Sequence, residues 1–263
     1  MDIRIIVATH KKYWMPVDIM YLPLHVGAEG KIDEKGQILD LGYIKDNTGD
    51  NISRKNANYC ELTGIYWAWK NLKADYIGLA HYRRHFTVSH NPFVDKRNRV
   101  ITKPELETII KNAEQNGISI LLPQKRNYWI ETNYSQYVHA HHAIDLDTTR
   151  VILTDYYPEY LKAWDESMKR TKGHRFNMFI MKEDIFDEYC EWLFDILFEL
   201  EKRLDISGYN KYDSRVFGFV SERLLDVWVE TKNYKYTELP YVFMERQNWL
   251  VKGGEFLKRK FGI

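Results

Sequence analysis

Asp75-Tyr76-Ile77-Gly78-Leu79-Ala80-His81-Tyr82-Arg83-Arg84-His85-Phe86 is the stretch whose reading decides the fold. Residues 76–80 form an uncharged apolar run of strand length. Such a run suits a central parallel strand covered on both faces, where polar alternation disappears. Two Arg and two His follow within five residues. In open α/β sheets, ligands lie outside the carboxyl ends of the strands. Two neighbouring guanidinium groups there present forked donors that match a phosphate or diphosphate. Without its strand, the same pair reads as a basic loop that meets surface acids.

Working outward, residues 3–8 are a second buried strand, followed by Thr9-His10-Lys11-Lys12-Tyr13. This junction suits a nucleotide base or phosphate, or equally a surface loop. Residues 49–53 read as a turn before a helix, with Asp50 and Ser53 as caps or as ligands to a sugar hydroxyl; capping is the commoner role. Residues 56–72 read as one helix, its stripe being Leu62, Ile65, Tyr66, Trp69 and Leu72. Asn58 and Glu61 lie off that stripe, as substrate contacts or as a solvated face. Thr102-Lys103-Pro104-Glu105 is a capping box with Pro in the first turn. The helix it opens leads to a strand at 118–122. Strand, helix and strand make a βαβ unit.

Residues 123–142 are irregular and rich in aromatics and His, as binding loops often are. His139, His141 and His142 with Asp145 and Asp147 have a metal-like composition, but their spacing matches no metal motif. A strand is expected at 175–181, with Asn177 its polar exception, then a long helix over 183–202. In a further helix at 213–230, Arg215, Gly218 and Glu222 share a face apart from the apolar stripe. A mid-helix Gly costs roughly 1 kcal/mol relative to Ala, which fits a place where a ligand or backbone approaches closely. The alternative is a surface pair around a packing Gly. Residues 252–260 form a basic amphipathic end, suited to an anionic membrane surface or to a solvated terminal helix.

The composition narrows the classes. Lys plus Arg is 38 against 37 Asp plus Glu in 263 residues, which argues against a general nucleic-acid binder. Apolar residues are 44% of the chain, enough for a sizeable core. The 19 Tyr, 12 Phe and 8 Trp fill cores and also make platforms for sugars and bases. The only two cysteines, Cys60 and Cys190, sit in apolar helical patterns and suggest a reducing compartment. There is no signal-peptide pattern and no apolar run of ~18–20 residues. The expected location is cytoplasmic, peripheral at the inner face of the membrane. No linker divides the chain, so one α/β domain is expected, with a mostly parallel sheet flanked by helices and a helical C-terminal part.

Several stretches together resemble a family of bacterial glycosyltransferases from capsular, exopolysaccharide and O-antigen gene clusters, catalogued as a domain of unknown function. They are residues 5–11, 49–53, 58–63 and 66–71, Gly78-Leu79-Ala80-His81-Tyr82-Arg83-Arg84, residues 177–181, Arg215-Val216-Phe217-Gly218-Phe219, and Glu222-Arg223-Leu224. The resemblance implies a GT-A-like fold and a UDP-sugar donor, with UDP-galactofuranose or UDP-galactose as first guesses. It implies a growing, lipid-linked, cell-surface polysaccharide as acceptor. Residues 1–122 are then the nucleotide-sugar half and 123–263 the acceptor-side half. Donor contacts are expected from Thr9, His10, Lys11, Asp50, Asn58, Glu61, His81, Tyr82, Arg83 and Arg84. Acceptor contacts are expected from Asn177, Arg215, Tyr134 and His139, and the carboxylate base from Glu222, Asp213 or Asp50. GT-A enzymes usually hold Mn²⁺ or Mg²⁺ with Asp-x-Asp after a strand. Here His81-Tyr82-Arg83-Arg84 takes that place, while Asp145-Leu146-Asp147 sits in a helical pattern. A divalent metal is therefore disfavoured, with no other cofactor expected. The competing classes are a nucleotidyltransferase and a noncatalytic carbohydrate-binding protein.

Overall fold

The structure is a computed structural model and describes residues 1–245; the basic stretch at 252–260 lies outside the described residues. In chain order the strands are β1 (Ile3–Thr9), β2 (Tyr21–His25), β3 (Ile44–Lys45), β4 (Tyr76–His81), β5 (Arg84–Phe86), β6 (Ile120–Pro123), β7 (Arg126–Asn127), β8 (Lys172–Gly173), β9 (Phe179–Lys182), β10 (Tyr236–Leu239) and β11 (Tyr241–Phe243). The helices are α1 (Asn56–Tyr59), α2 (Leu62–Asn71), α3 (Lys103–Glu114), α4 (Asn133–Val138), α5 (Ala143–Tyr156), α6 (Leu161–Lys169), α7 (Glu183–Arg203) and α8 (Val216–Thr231).

The main sheet runs β10-β6-β9-β4-β1-β2-β3, with β5 and β11 attached beyond β4. Strands β4, β1, β2 and β3 are mutually parallel, as are β6 and β10; β9 is antiparallel to both its neighbours. The apolar runs at 3–8 and 76–80 are thus buried central strands. On β1, Ile6 and Ala8 pack into the core beneath α2 and α7, while Ile3, Ile5 and Val7 pack into the core that includes Leu106 and Ile110 of α3. Burial on both faces removes the need for alternation. At Gly78 a Cβ would stand 2.9 Å from the Phe179 carbonyl oxygen, so only glycine lets β9 lie this close to β4.

Two expectations change, and one feature is added. The helix read over 56–72 breaks at Cys60 (φ 53°, ψ −129°) into α1 and α2. The strand read over 175–181 begins only at Phe179, because Phe176 (φ 75°) and Asn177 (φ 53°) are left-handed. After β4 the chain does not leave the sheet. It turns at Tyr82-Arg83 and returns as β5, which pairs with β11. The capping box forms, with the Thr102 amide 2.8 Å from Glu105 Oε2.

Parallel register levels the strand ends: Thr9 lies opposite His25, and Ala8 opposite His81. The polar residues that end three strands therefore stand side by side at the sheet's carboxyl edge.

Candidate active site

At that edge opens a cleft of about 730 Å³. Its floor is Thr9, His10, His25 and His81. The Tyr82–Arg84 turn forms one wall, and the Cys60-Glu61 break lies against Arg215 and Gly218 on the other side. His141, Tyr212, Arg215, Phe219, Glu222 and Arg223 form the opposite wall. Among the described residues, Lys31, Arg83, Arg84, Arg126, Lys211, Arg215 and Arg223 meet two carboxylates there, Glu61 and Glu222. A concave site lined by one sign of charge focuses its field and draws in the opposite charge.

The two central arginines are not equivalent. Arg83 is half-exposed, its Nη1 3.3 Å from Glu245 and its guanidinium 5.1 Å from the Tyr82 ring. Arg84 is inserted between aromatics, 4.2 Å from the Phe176 ring and 4.9 Å from Phe243. Its Nε is buried without a hydrogen-bond partner, and it makes no ion pair with the described residues. Burial lowers its pKa and the field of Glu222 opposes that, but a guanidinium stays charged. A desolvated cation without an anion is costly, and a bound phosphate would remove that cost.

Beside it lies a fixed polar chain. Asn177 Nδ2 donates to Glu61 Oε1 at 2.7 Å and to the Gly218 carbonyl at 3.1 Å, and Ser221 Oγ donates to Asn177 Oδ1 at 2.5 Å. His81 Nε2 donates to the Phe176 carbonyl at 2.5 Å. Burial lowers the His81 pKa, partly opposed by Glu61. Arg215 Nε donates to Cys60 Sγ at 3.1 Å, and burial pushes the thiol up to about 11. A Cβ on Gly218 would meet Cys60 Cβ at 3.3 Å, so the mid-helix glycine marks the approach of the Cys60 turn to α8. Of five left-handed non-glycine residues in the described chain, Cys60, Phe176 and Asn177 belong to this chain of contacts. Strain of this kind collects at functional sites.

Thr9, His10, Glu61, His81, Tyr82, Arg83, Arg84, Arg215 and Glu222 all line the cleft, with Asn177 buried just beneath. Lys11 sits at its edge, with Nζ 5.3 Å from the Tyr82 ring. Asn58 instead ties α1 to the Ser214 carbonyl at 2.7 Å. Asp213 stands behind the wall, accepting from His141 Nδ1 at 3.0 Å. Asp50, Tyr134 and His139 are not brought to the cleft. Asp50 accepts from the Tyr66 hydroxyl and its carbonyl takes Asn71, at the far end of α2. Tyr134 donates to Asp147 beside a separate pocket, and His139 pairs with Glu131.

The residues of metal-like composition also disperse. Asp145 accepts from the hydroxyls of Tyr137 and Tyr209 at 2.7 and 2.6 Å. Among the described residues no group of three or more His, Cys, Asp or Glu converges as a cation site. The donor set does not fit the divalent ion that Asp-x-Asp would hold.

His25, Arg126, Gln136, Tyr212, Phe219 and Arg223 also line the cleft, though none of them was expected as a site residue. Arg223 carried a signal, a charge inside an apolar helix: it is buried and donates to Gln136 Oε1 at 2.8 Å and the Phe219 carbonyl at 3.0 Å. His141 stacks on Phe219 and Tyr212 with centroids 4.2 and 5.5 Å apart, a platform that only the folded chain assembles.

Against this geometry, the chain matches the domain of unknown function DUF4422 over residues 4–233. Among solved structures it is similar to one titled as the apo structure of the bifunctional glycosyltransferase WbbM. The identity is 34% and the TM-score 0.81, with 94% of this chain and 46% of that chain covered. The chain thus spans about half the length of that protein. No curated protein matches it. The mostly parallel sheet flanked by helices is a GT-A-like α/β fold.

Proposed function

This chain belongs to the DUF4422 family, and from that premise we propose that it is a glycosyltransferase. It moves a sugar from a UDP-sugar, UDP-galactofuranose or UDP-galactose, to a growing, lipid-linked, cell-surface polysaccharide. The observation that carries this is Arg84: a guanidinium packed between two rings in a cationic cleft, with no ion-pair partner among the described residues. A departing UDP develops negative charge on its diphosphate. Fixed cations that are already in place stabilise that charge without reorganising.

In this scheme Thr9, His10, His81, Tyr82, Arg83 and Arg84 hold the donor from the sheet side, mostly within residues 1–122. Arg215, Tyr212, Phe219 and His141 form the acceptor wall, from the second half of the chain. Arg83 and Arg84 neutralise the leaving group where an Asp-x-Asp enzyme uses a metal. The likeness to a protein titled as a glycosyltransferase supports the reaction class; the donor sugar and lipid-linked acceptor follow from the family resemblance. No helix of the described residues is long and apolar enough to cross a membrane.

A thermal-shift series with UDP, UDP-galactose, UDP-galactofuranose and free galactose tests the proposal. Stabilisation by UDP and the UDP-sugars is expected. Stabilisation by free sugar alone would make the protein a carbohydrate binder. Sugar transfer is expected to survive EDTA; its loss, with recovery on adding Mn²⁺, would refute the arginine-for-metal scheme.

A further inference from the structure

Transfer with inversion requires a base that takes the acceptor's hydroxyl proton as its oxygen attacks. Of the two carboxylates lining the cleft, Glu222 accepts from Arg223 Nη1 at 3.2 Å, and that arginine is buried. A proton arriving on Glu222 must disrupt this pair. Glu61 makes no ion pair with the described residues. Its Oε1 accepts the single bond from Asn177, and no described residue bonds to Oε2.

The Asn177 amide has one orientation. Its nitrogen faces two acceptors, Glu61 and the Gly218 carbonyl, while its oxygen accepts from Ser221. Turning it over would set an oxygen against two oxygens. The backbone holds the pair from both sides, with Cys60 left-handed immediately before Glu61, and Phe176 and Asn177 left-handed across the cleft floor. Such a conformation is unfavourable and persists only where its surroundings enforce it. That strain is concentrated on the two segments that make one hydrogen bond.

We infer that Glu61 is the general base of the transfer, and that Asn177 and Ser221 are its positioning residues. This rests on the cleft being a nucleotide-sugar site. The acceptor hydroxyl gives its proton to Glu61 Oε2, and its oxygen forms the new bond to the anomeric carbon. The bond from that carbon to the diphosphate oxygen breaks, and its electron pair leaves on the diphosphate beside Arg84. The product has the inverted configuration, and Glu61 later returns its proton to water. The charged and titratable groups facing Glu61 are Cys60 from the preceding turn, His81 from β4, Arg84 from β5, Arg215 from the turn before α8, and Glu222 from α8. Burial lowers the affinity of His81 for a second proton while its Nε2–H is given to a carbonyl, the thiol accepts from Arg215, and Glu222 is paired.

The test uses the full chain, a UDP-sugar donor and release of UDP. Glu61→Gln, which keeps the bond from Asn177, should lower kcat by about 10²–10⁴-fold while UDP affinity by calorimetry stays within about threefold of native. The acid limb of the native pH profile of kcat/KM should vanish in this variant. Glu61→Asp retracts the carboxylate but keeps it, so it should lose rate and retain the limb. Ser221→Ala should shift the limb and lower kcat with little change in donor KM, which a purely structural role would not do. Glu61→Gln with native kcat, or a product of retained configuration, would overturn the assignment and leave the donor site standing. Failure of the native chain to bind UDP would overturn the donor site itself, and the assignment with it.

Discussion

Two arginines, one buried and one partly buried, show how differently this molecule uses the same side chain. Arg175 lies under α8 and is fully engaged. Nε donates to the Tyr128 hydroxyl at 3.3 Å. Nη1 donates to the His174 and Glu222 carbonyls at 2.6 and 3.1 Å, and Nη2 to Asn133 Oδ1 at 2.5 Å. Asp226 adds a carboxylate 4.0 Å away and is itself paired with His174. Arg84, in the cleft, has two aromatic faces and no hydrogen-bonding partner for its buried Nε. A charge whose donors are all spent inside the protein is framework. A charge left without an anion is held for something that arrives.

The largest effect should come from the framework. Arg175→Leu removes the donor to Asn133 and a counter-charge to buried Asp226, and breaking a buried pair costs about 3–5 kcal/mol. Thermal denaturation should then move down by roughly 10 °C or more. A change below about 2 °C would erase the distinction. Arg84→Met, which keeps the aliphatic packing, should leave the melting temperature nearly unmoved and lower kcat/KM for the UDP-sugar by about 10²–10³-fold, the scale for one preorganised charge-stabilising group. An equal loss of stability in both variants would mean that Arg84 is framework as well.

His85 sharpens the contrast, because strand alternation turns it the other way from Arg84. It is fully buried and packs edge-on against Trp14 and Tyr21 at 5.8 and 6.0 Å. Burial lowers its pKa to about 4. An unfolded imidazole takes up its proton near 6.5, so between these values the unfolded chain binds more protons. Stability is therefore unaffected above about 6.5, and is lost as pH falls towards 4, by roughly 3 kcal/mol in all. His85→Phe should flatten that part of the stability-pH curve in urea titrations, with UDP binding at neutral pH unchanged. An unaltered slope would place the acid sensitivity elsewhere.

How far the sequence reaches can be seen from the same residues. The strands at 3–8 and 76–80 were legible because a run with no polar alternation has few other uses in a soluble domain. The arginine pair was legible as a position at a strand end. Its inequality was not, since it depends on β5 pairing with β11, which arrives from residues 241–243. The break at Cys60 left no trace because the apolar stripe, Leu62 to Leu72, lies wholly beyond it and carries no information about the turn before it. The direction of β9 was hidden because periodicity carries no direction. Asn177 stood out as a polar exception, but its partner Glu61 is 116 positions away, and only folding joins them. The far wall, from His141 to Arg223, is assembled from distant helices that each read as ordinary amphipathic segments.

The smallest effect expected is at Arg83, and its character differs from that at Arg84. Arg83 is half-exposed and its present partner is Glu245 at 3.3 Å. An exposed ion pair is worth about 0–1 kcal/mol, so a diphosphate displaces Glu245 at little cost and gains correspondingly little. Arg83→Ala should therefore reduce kcat/KM by about tenfold and leave folding stability unaltered. Because an exposed charge is screened by salt and a sheltered one much less, this loss should shrink as ionic strength rises from about 0.05 to 0.5 M. The loss in Arg84→Met should persist across the same range. Glu245→Gln should act in the opposite sense, raising UDP affinity by a factor of a few, since it frees Arg83 from its competitor. If the two arginine variants respond identically to salt, the sheltered and exposed cations are one site, and the inequality drawn from their surroundings has no functional meaning.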